Sequence, residues 1–319
     1  MENRSLFLTD KPTLQELLEV QDFYDLPSPA LVEKDWYVVK ALAAITVIDT
    51  SPFKLVFGGG TALGRAHRLI HRMSEDIDLK VVANEPQPAR LAFRQLREKV
   101  TQALLEAGFK FDPDNTHYRE SRNQSRYTVF RLPYEPITTG NGALRPEIQI
   151  ELATRPLRLA SVEKSVSSFI AEAFKRPAEV PVINCIAISE TAAEKFVALT
   201  RRAGAELMGA GALRDPTIIR HIYDLHVIRE HYEATEIKAL FLAIMQEDAE
   251  TFGHQFPAYR DNPLAETVRA IEGLESDPDY AQNFAKFYRD MVYGKDDFNF
   301  TACMTTLKAL SMLLTEQQP

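Results

Sequence analysis

Cysteine is scarce, with Cys185 and Cys303 the two in 319 residues. They stand far apart in apolar surroundings, with no spacing that suits zinc, and a chain so poor in cysteine fits a reducing cytoplasm. Long apolar runs are also missing. No stretch approaches the roughly 18 residues that a membrane span needs. Met1-Glu2-Asn3-Arg4-Ser5 leads into no signal-peptide core, so no membrane partner is expected. Positive charge is not in excess either. Lys and Arg number 37 against 45 Asp and Glu, a formal net charge of −8, which argues against a general nucleic-acid coat protein. What is present is ordinary for a globular chain: 45% hydrophobic and 26% charged residues leave little scope for long disorder. The length suffices for two domains and a substantial core. No internal repeat is evident.

Residues 12–24 carry helical spacing, with Leu14, Leu17, Leu18 and Phe23 available for one buried stripe. Pro27-Ser28-Pro29 breaks the chain, and a second helix is expected over about 30–48. A strand over 54–57, a helix near 61–69 and a strand over 76–82 follow. Pro86 and Pro88 open a helix to about Ala107, which Gly108 ends as a C-cap residue would. Alternation predicts strands at 124–132 and 146–152. From about residue 188 the character changes: 189–203, 215–231, 235–252, 263–274, 278–292 and 298–314 all read as helices. Ala203-Gly204-Ala205 through Gly209-Ala210-Gly211-Ala212 is rich in small residues and predicts a flexible connection. It lacks the Lys-Ser/Thr ending of a P-loop. The expected organisation is α+β: a mixed sheet with flanking helices in residues 1–187, then an all-helical domain in residues 188–319.

The most informative stretch is 58–78. A small-residue turn, Gly58-Gly59-Gly60-Thr61, follows the apolar run Leu55-Val56-Phe57 and can present backbone N–H groups to phosphates. Asp76 and Asp78 then flank Ile77 at the start of a second run. Two acids one residue apart on a strand point to the same face, the geometry needed to grip divalent cations from one side. Hard cations such as Mg²⁺ take carboxylates together with substrate phosphates, and such ions can clamp a phosphoryl displacement. A lone Asp-x-Asp is weak, because solvated strand faces carry it by chance; the glycine turn one strand earlier makes it specific.

A third acid would complete a metal site. Glu147-Ile148-Gln149-Ile150-Glu151-Leu152 alternates strictly, putting Glu147, Gln149 and Glu151 on one face. Either Glu151 or Glu147 could stand beside the acid pair, and the exposed face of an antiparallel strand would show the same pattern. Later, Ser189 can cap the helix 189–203, whose stripe of Ala193, Phe196, Val197 and Thr200 leaves Lys195 and Arg202 close together, two turns apart. A lone lysine there is as well explained as a surface ammonium. Asp215-Pro216 suits an N-cap and N1 proline. Asp224 lies among Ile218, Ile219, Ile222, Tyr223 and Leu225, on a helix apolar nearly all round, and needs a partner. Arg220 is the structural candidate, and Lys195 or a nucleotide-bound water the functional one. Basic residues concentrate locally at Arg65, His67, Arg68, His71 and Arg72, then at Arg119, Arg122, Arg126 and Arg131, then at Arg145, Arg155 and Arg158.

Together these segments resemble the AbiEii/AbiGii-type nucleotidyltransferase toxins, a branch of the DNA polymerase β-like nucleotidyltransferases that includes the MenT toxins. The matching pieces are Glu33-Lys34-Asp35, Gly59-Gly60-Thr61, Arg72-x-Ser74-x-Asp76-x-Asp78, Ile148-x-Ile150-Glu151, Glu194-Lys195 with Arg201 or Arg202, and Arg220-x-x-x-Asp224-Leu225. They run in order from about residue 29 to 230. The resemblance implies a polymerase β-like fold and metal, Mg²⁺ or Mn²⁺, on Asp76, Asp78 and Glu151. It implies an NTP held by Gly59, Gly60, Thr61, Arg72, Ser74, Lys195 and Arg202, and Asp224 orienting Lys195 or acting as base, in a site spanning both domains. Asp76, Asp78, Lys195 and Asp224 are the catalytic candidates. Two departures stand out: His221 replaces a second acid of the last motif, and the small-residue stretch 203–212 lengthens the connection before it.

The function so implied is transfer of NMP from an NTP to an acceptor, the implied partners being tRNA or other RNA and a cognate antitoxin, in a toxin–antitoxin or phage-defence system. Two other classes share parts of the pattern. A small-molecule nucleotidyltransferase of the antibiotic-modifying kind uses the same turn and acids with a compact acidic acceptor pocket. A non-catalytic module would bind nucleotide or a protein partner without releasing pyrophosphate.

Overall fold

A computed structural model of the protein describes residues 11–84, 88–139, 142, 144–209, 215–294 and 298–315. The amino-terminal pentapeptide, Pro86 and Ala210 to Ala212 lie outside them. The chain forms two compact units: Met1–Ile186 with Met291–Gly294, and Ala187–Asp290 with Lys295–Pro319.

In the first unit, Thr13 and Glu16 form a capping box at the start of α1 (Leu14–Tyr24), satisfying two otherwise orphaned backbone donors. The helix buries Leu17 and Val20, while Leu14, Leu18 and Phe23 are exposed; its contact face is narrower than its apolar content suggests. Ser28 caps α2 (Pro29–Thr46), with Pro29 in the first turn where no N–H is needed. This helix is buried almost all round, its charged residues Glu33, Lys34 and Asp35 included.

Strand β1 (Phe53–Gly58) runs into a single helical turn α3 (Gly59–Thr61) and a π-helical turn over Ala62–Ala66, which replace the longer helix expected near 61–69. Then come β2 (Asp76–Ala83), α4 (Arg90–Glu106), β3 (Arg119–Arg122), β4 (Tyr127–Pro133), β5 (Glu147–Ala153), β6 (Val162–Val166), α5 (Phe169–Ala173) and β7 (Val180–Cys185). Gly108, at φ +89°, ends α4 in the left-handed conformation that glycine tolerates. Asn123, Gln124 and Ser125 all take positive φ, so β4 begins three residues later than the alternation suggests.

Among the described residues, seven strands form one mixed sheet in the order β3-β4-β5-β2-β1-β7-β6. The β2–β5 and β1–β7 pairs are parallel, and the other pairs antiparallel. Ile77, Leu79, Val81, Ile148, Ile150, Leu152 and Phe130 share one core with Phe93, Leu96, Val100 and Leu104 of α4 and the apolar residues of α2. That leaves the polar residues of β2 and β5 on the other face.

The described part of the second unit is helical: α6 (Ile188–Leu207), α7 (Ile219–Val227), α8 (Ala234–Phe252), α9 (Pro257–Asp261), α10 (Pro263–Ser276), α11 (Pro278–Met291) and α12 (Phe300–Thr315). Three sequence expectations change here. The cap of α6 is Ala187, and Ser189 lies buried inside the helix. Ala203, Gly204 and Ala205 belong to α6, not to a flexible connection. A Cβ on Gly204 would stand 3.1 Å from the Phe256 ring, so the glycine serves close packing. Finally, α7 starts at Ile219 because Asp215 is used in a turn, accepting from the Thr217 N–H at 2.8 Å and its hydroxyl at 2.7 Å.

Candidate active site

The site grows from the pleat of β2. Ile77 and Leu79 are buried in the core, so Asp76 and Asp78 project half-buried from the opposite face. Gly58 is paired with Asp78 across the β1–β2 ladder. The chain then turns at Gly59 with φ +70°, so close to Asp78 that a Cβ on Gly59 would collide with its carboxylate. Gly60 is packed as tightly: its Cβ would stand 2.7 Å from Ser74 Oγ and run into the Arg72 guanidinium. The Thr61 hydroxyl donates to the backbone carbonyl of Asp76. Arg72 is buried and donates to the Met73 carbonyl at 2.9 Å. Gly59, Gly60, Thr61, Arg72 and Ser74 are thus gathered against the acid pair.

The β2–β5 ladder sets the two candidate third acids at different positions. Asp76 lies opposite Gln149 and Asp78 opposite Glu151, and residues directly opposed across a ladder share a face. Glu147 lies before the first paired residues of that ladder. The carboxylate oxygens of Asp76, Asp78 and Glu151 are the donor chemistry that Mg²⁺ or Mn²⁺ takes. The side chains are otherwise engaged: among the described residues no three His, Cys, Asp or Glu side chains converge as a metal-holding group. Asp76 is paired with Arg145, and the Gln149 amide donates to Glu151 at 2.7 Å. Tyr127 on β4 also bonds Glu151; burial, with that carboxylate, pushes its hydroxyl up to about 12.

Beneath the acids lies a buried ionic layer. Lys34, fully buried on α2, donates to the carbonyls of Arg145 and Glu147, each at 2.6 Å, and stands 3.3 Å from the Glu75 carboxylate. Burial pulls its ammonium below the ordinary lysine range, and Glu75 opposes this. Glu75 in turn accepts from the Arg145 N–H at 2.9 Å. On either side of Lys34, Glu33 accepts from the Ile137 and Thr138 backbone, and Asp35 from the Phe169 N–H at 2.7 Å. Sequence reasoning singled out Glu33-Lys34-Asp35 without finding this anchoring role. It missed Glu75, Tyr127 and the placement of Arg145 altogether; only Glu75, between Ser74 and Asp76, carried a local hint.

In the second unit, Lys195 Nζ of α6 stands 2.8 Å from Asp224 Oδ2 of α7, both buried. Of the partners weighed for Asp224, Lys195 is the one in this ion pair. Arg202 pairs with Asp215. Its neighbour Arg201 pairs with Asp248 at 2.8 Å and lies over the Phe252 ring.

A family model for the nucleotidyl transferase AbiEii toxin of type IV toxin–antitoxin systems matches residues 40–309. The chain belongs to the AbiEii nucleotidyltransferase toxin family. Its sheet and helices accordingly form an AbiEii nucleotidyltransferase, and the match takes in the glycine turn, the acid strand, Glu151, Lys195 and Asp224. Among solved structures, the chain is similar to MenT4, a nucleotidyltransferase toxin from Mycobacterium tuberculosis H37Rv. The two share 17% identity and a TM-score of 0.56 over 95% of this chain and 90% of that one; at that identity the likeness is one of fold. No curated protein matches the sequence. No helix among the described residues is long and apolar enough to cross a membrane.

Proposed function

We propose that this AbiEii nucleotidyltransferase moves NMP from an NTP onto an RNA acceptor, with tRNA the first candidate, as the toxin of a toxin–antitoxin or phage-defence pair. The observation that carries this reading is the close fit of the Gly59 turn to Asp78, with Glu151 opposite Asp78 on the neighbouring strand. The turn and the hydroxyl of Ser74 offer neutral donors to a triphosphate, and Arg72 a cation. In the transfer, an acceptor hydroxyl oxygen forms a bond to the α-phosphorus and gives up its proton, the bond to the β-phosphate oxygen breaks, and pyrophosphate leaves. A divalent cation held by Asp76, Asp78 and Glu151 would supply charge stabilisation at the phosphoryl oxygens. Lys195, fixed by Asp224, is the second unit's candidate phosphate ligand. Both partners are buried, so removing either leaves a costly uncompensated charge.

The test is incubation with each labelled NTP, Mg²⁺ and total tRNA. Label should enter tRNA with one nucleotide preferred, and Asp76→Ala should lower the rate by at least about a hundredfold without changing the fold by circular dichroism. Transfer that survives Asp76→Ala contradicts the reading. Label entering only small cationic acceptors would make the enzyme a small-molecule nucleotidyltransferase, and nucleotide binding without pyrophosphate release a non-catalytic module. Because a tRNA complex rests on phosphate contacts, its affinity should fall steeply with salt.

A further inference from the structure

Arg145 holds an unusual position for a cation so near a set of acids proposed to bind metal. Its guanidinium pairs with Asp76 and donates to Gln149 Oε1 at 3.0 Å, while its Nε stands 3.5 Å from Glu75 Oε1. Its backbone is also fixed, the N–H by Glu75 and the carbonyl by the buried Lys34. Five contacts therefore aim one side chain at the face that carries Asp76, Gln149 and Glu151. Arg145 is 37% exposed and Asp76 29% exposed, so the guanidinium can leave Asp76 for solvent or another anion while Lys34 and Glu75 keep hold of the backbone.

Asp76, Asp78 and Glu151 carry like charge on one face of neighbouring strands and repel one another, and a cation relieves that repulsion. A guanidinium does so with a planar fork of donors, and a divalent ion with greater charge and closer approach. A divalent ion on Asp76 Oδ1 would lie beside the guanidinium already paired with that oxygen, and the two positive charges would repel. We propose that Arg145 is a built-in counter-cation of the acid cluster, which a divalent metal must displace from Asp76 in order to bind. This rests on the reading that Asp76, Asp78 and Glu151 hold metal. The exchange leaves the charge of Asp76 offset before metal arrives and frees a guanidinium beside the proposed triphosphate site when it does.

The experiment is Mn²⁺ binding to the full-length protein, followed by the electron paramagnetic resonance signal of free Mn²⁺, so that no turnover is needed. Arg145→Gln should bind Mn²⁺ more tightly than wild type, on the order of tenfold, since a charge-assisted pair no longer has to be broken. Arg131→Gln is the control for net charge. Arg131 lies opposite Gln149 on β4 and is engaged by Glu120 and the His117 carbonyl, not by Asp76; its removal should change the affinity less than about twofold. Unchanged or weaker Mn²⁺ binding in Arg145→Gln overturns the proposal, as does equal tightening in the two arginine variants. Asp76→Ala and Asp78→Ala test the reading beneath it. Mn²⁺ binding that persists in both removes the metal site itself; binding lost in both but unaltered in Arg145→Gln removes the counter-cation alone. Arg145→Lys, which keeps the charge but not the fork, should fall between wild type and Arg145→Gln.

Discussion

At the scale of single residues, Gly59 bears most directly on the acid pair. Its φ of +70° is open to glycine and strained for other residues, and its missing Cβ is what lets the turn lie against Asp78. Gly59→Ala should therefore cost about 1–3 kcal/mol in stability, measured by urea unfolding, and reduce nucleotidyl transfer far more than that loss explains. Wild-type transfer by a folded Gly59→Ala protein would show that the contact has no catalytic value. Local spacing was enough to pick out Gly59, Asp76 and Asp78, because a two-residue period on a strand is a covalent property of the backbone. Glu147 and Glu151 obey the same period equally well, so alternation left them tied. The family resemblance favours Glu151 through its Ile-x-Ile pattern, and the partner strand's register, set by long-range pairing, places Glu151 opposite Asp78.

At the scale of elements, α2 connects the core to the loops around the site. Asp35 is the clearest case. It lies 3.6 Å from Arg65, which also stacks on Phe169, and accepts the N–H that opens α5. Burial raises its carboxyl to about 7, against the lowering influence of Arg65 and the Phe169 N–H. A carboxyl whose folded value lies above its unfolded one binds more protons in the folded state. Its contribution to stability is thus present in full below about pH 4 and lost as pH rises through about 7. Relative to Asp35→Asn, the wild type should lose on the order of 2 kcal/mol between pH 5 and pH 7, read from urea melts across that range. A difference that stays flat with pH would place the charge of Asp35 elsewhere in the balance. The sequence marked α2 as a helix from its proline-flanked start, and its burial all round fits the few polar residues it carries. Strands β3 and β6 escaped notice for the opposite reason. They form the two edges of the sheet, and Arg119-Glu120-Ser121-Arg122 and Val162-Glu163-Lys164-Ser165-Val166 are polar, as edges that must resist further pairing tend to be.

At the scale of the whole molecule, each compact unit contains one of the two cysteines: Cys185 in the first, Cys303 in the second. Both are fully buried, and burial pushes each thiol up to about 12. Neither should react with a thiol reagent at pH 8 while its unit is folded, with labelling slowed at least about a thousandfold relative to the unfolded chain. In Cys303→Ser the remaining thiol reports the first unit, and in Cys185→Ser the second. Labelling against urea concentration then gives a stability for each. Rapid labelling of either native variant would contradict the burial described.

By itself the sequence determined the chemistry on offer: the glycine turn, the acid pair one residue apart, the mixed sheet followed by helices, and the family these imply. Those features are local, fixed by backbone periods and by the few residues that tolerate left-handed turns. The tertiary structure alone decided which charges meet. It put Glu151 opposite Asp78, gave Asp224 to Lys195, set Lys34 under the acids and brought Arg145 onto Asp76. Such pairs join residues tens of positions apart, so they depend on strand order and helix docking, which no spacing within a segment encodes.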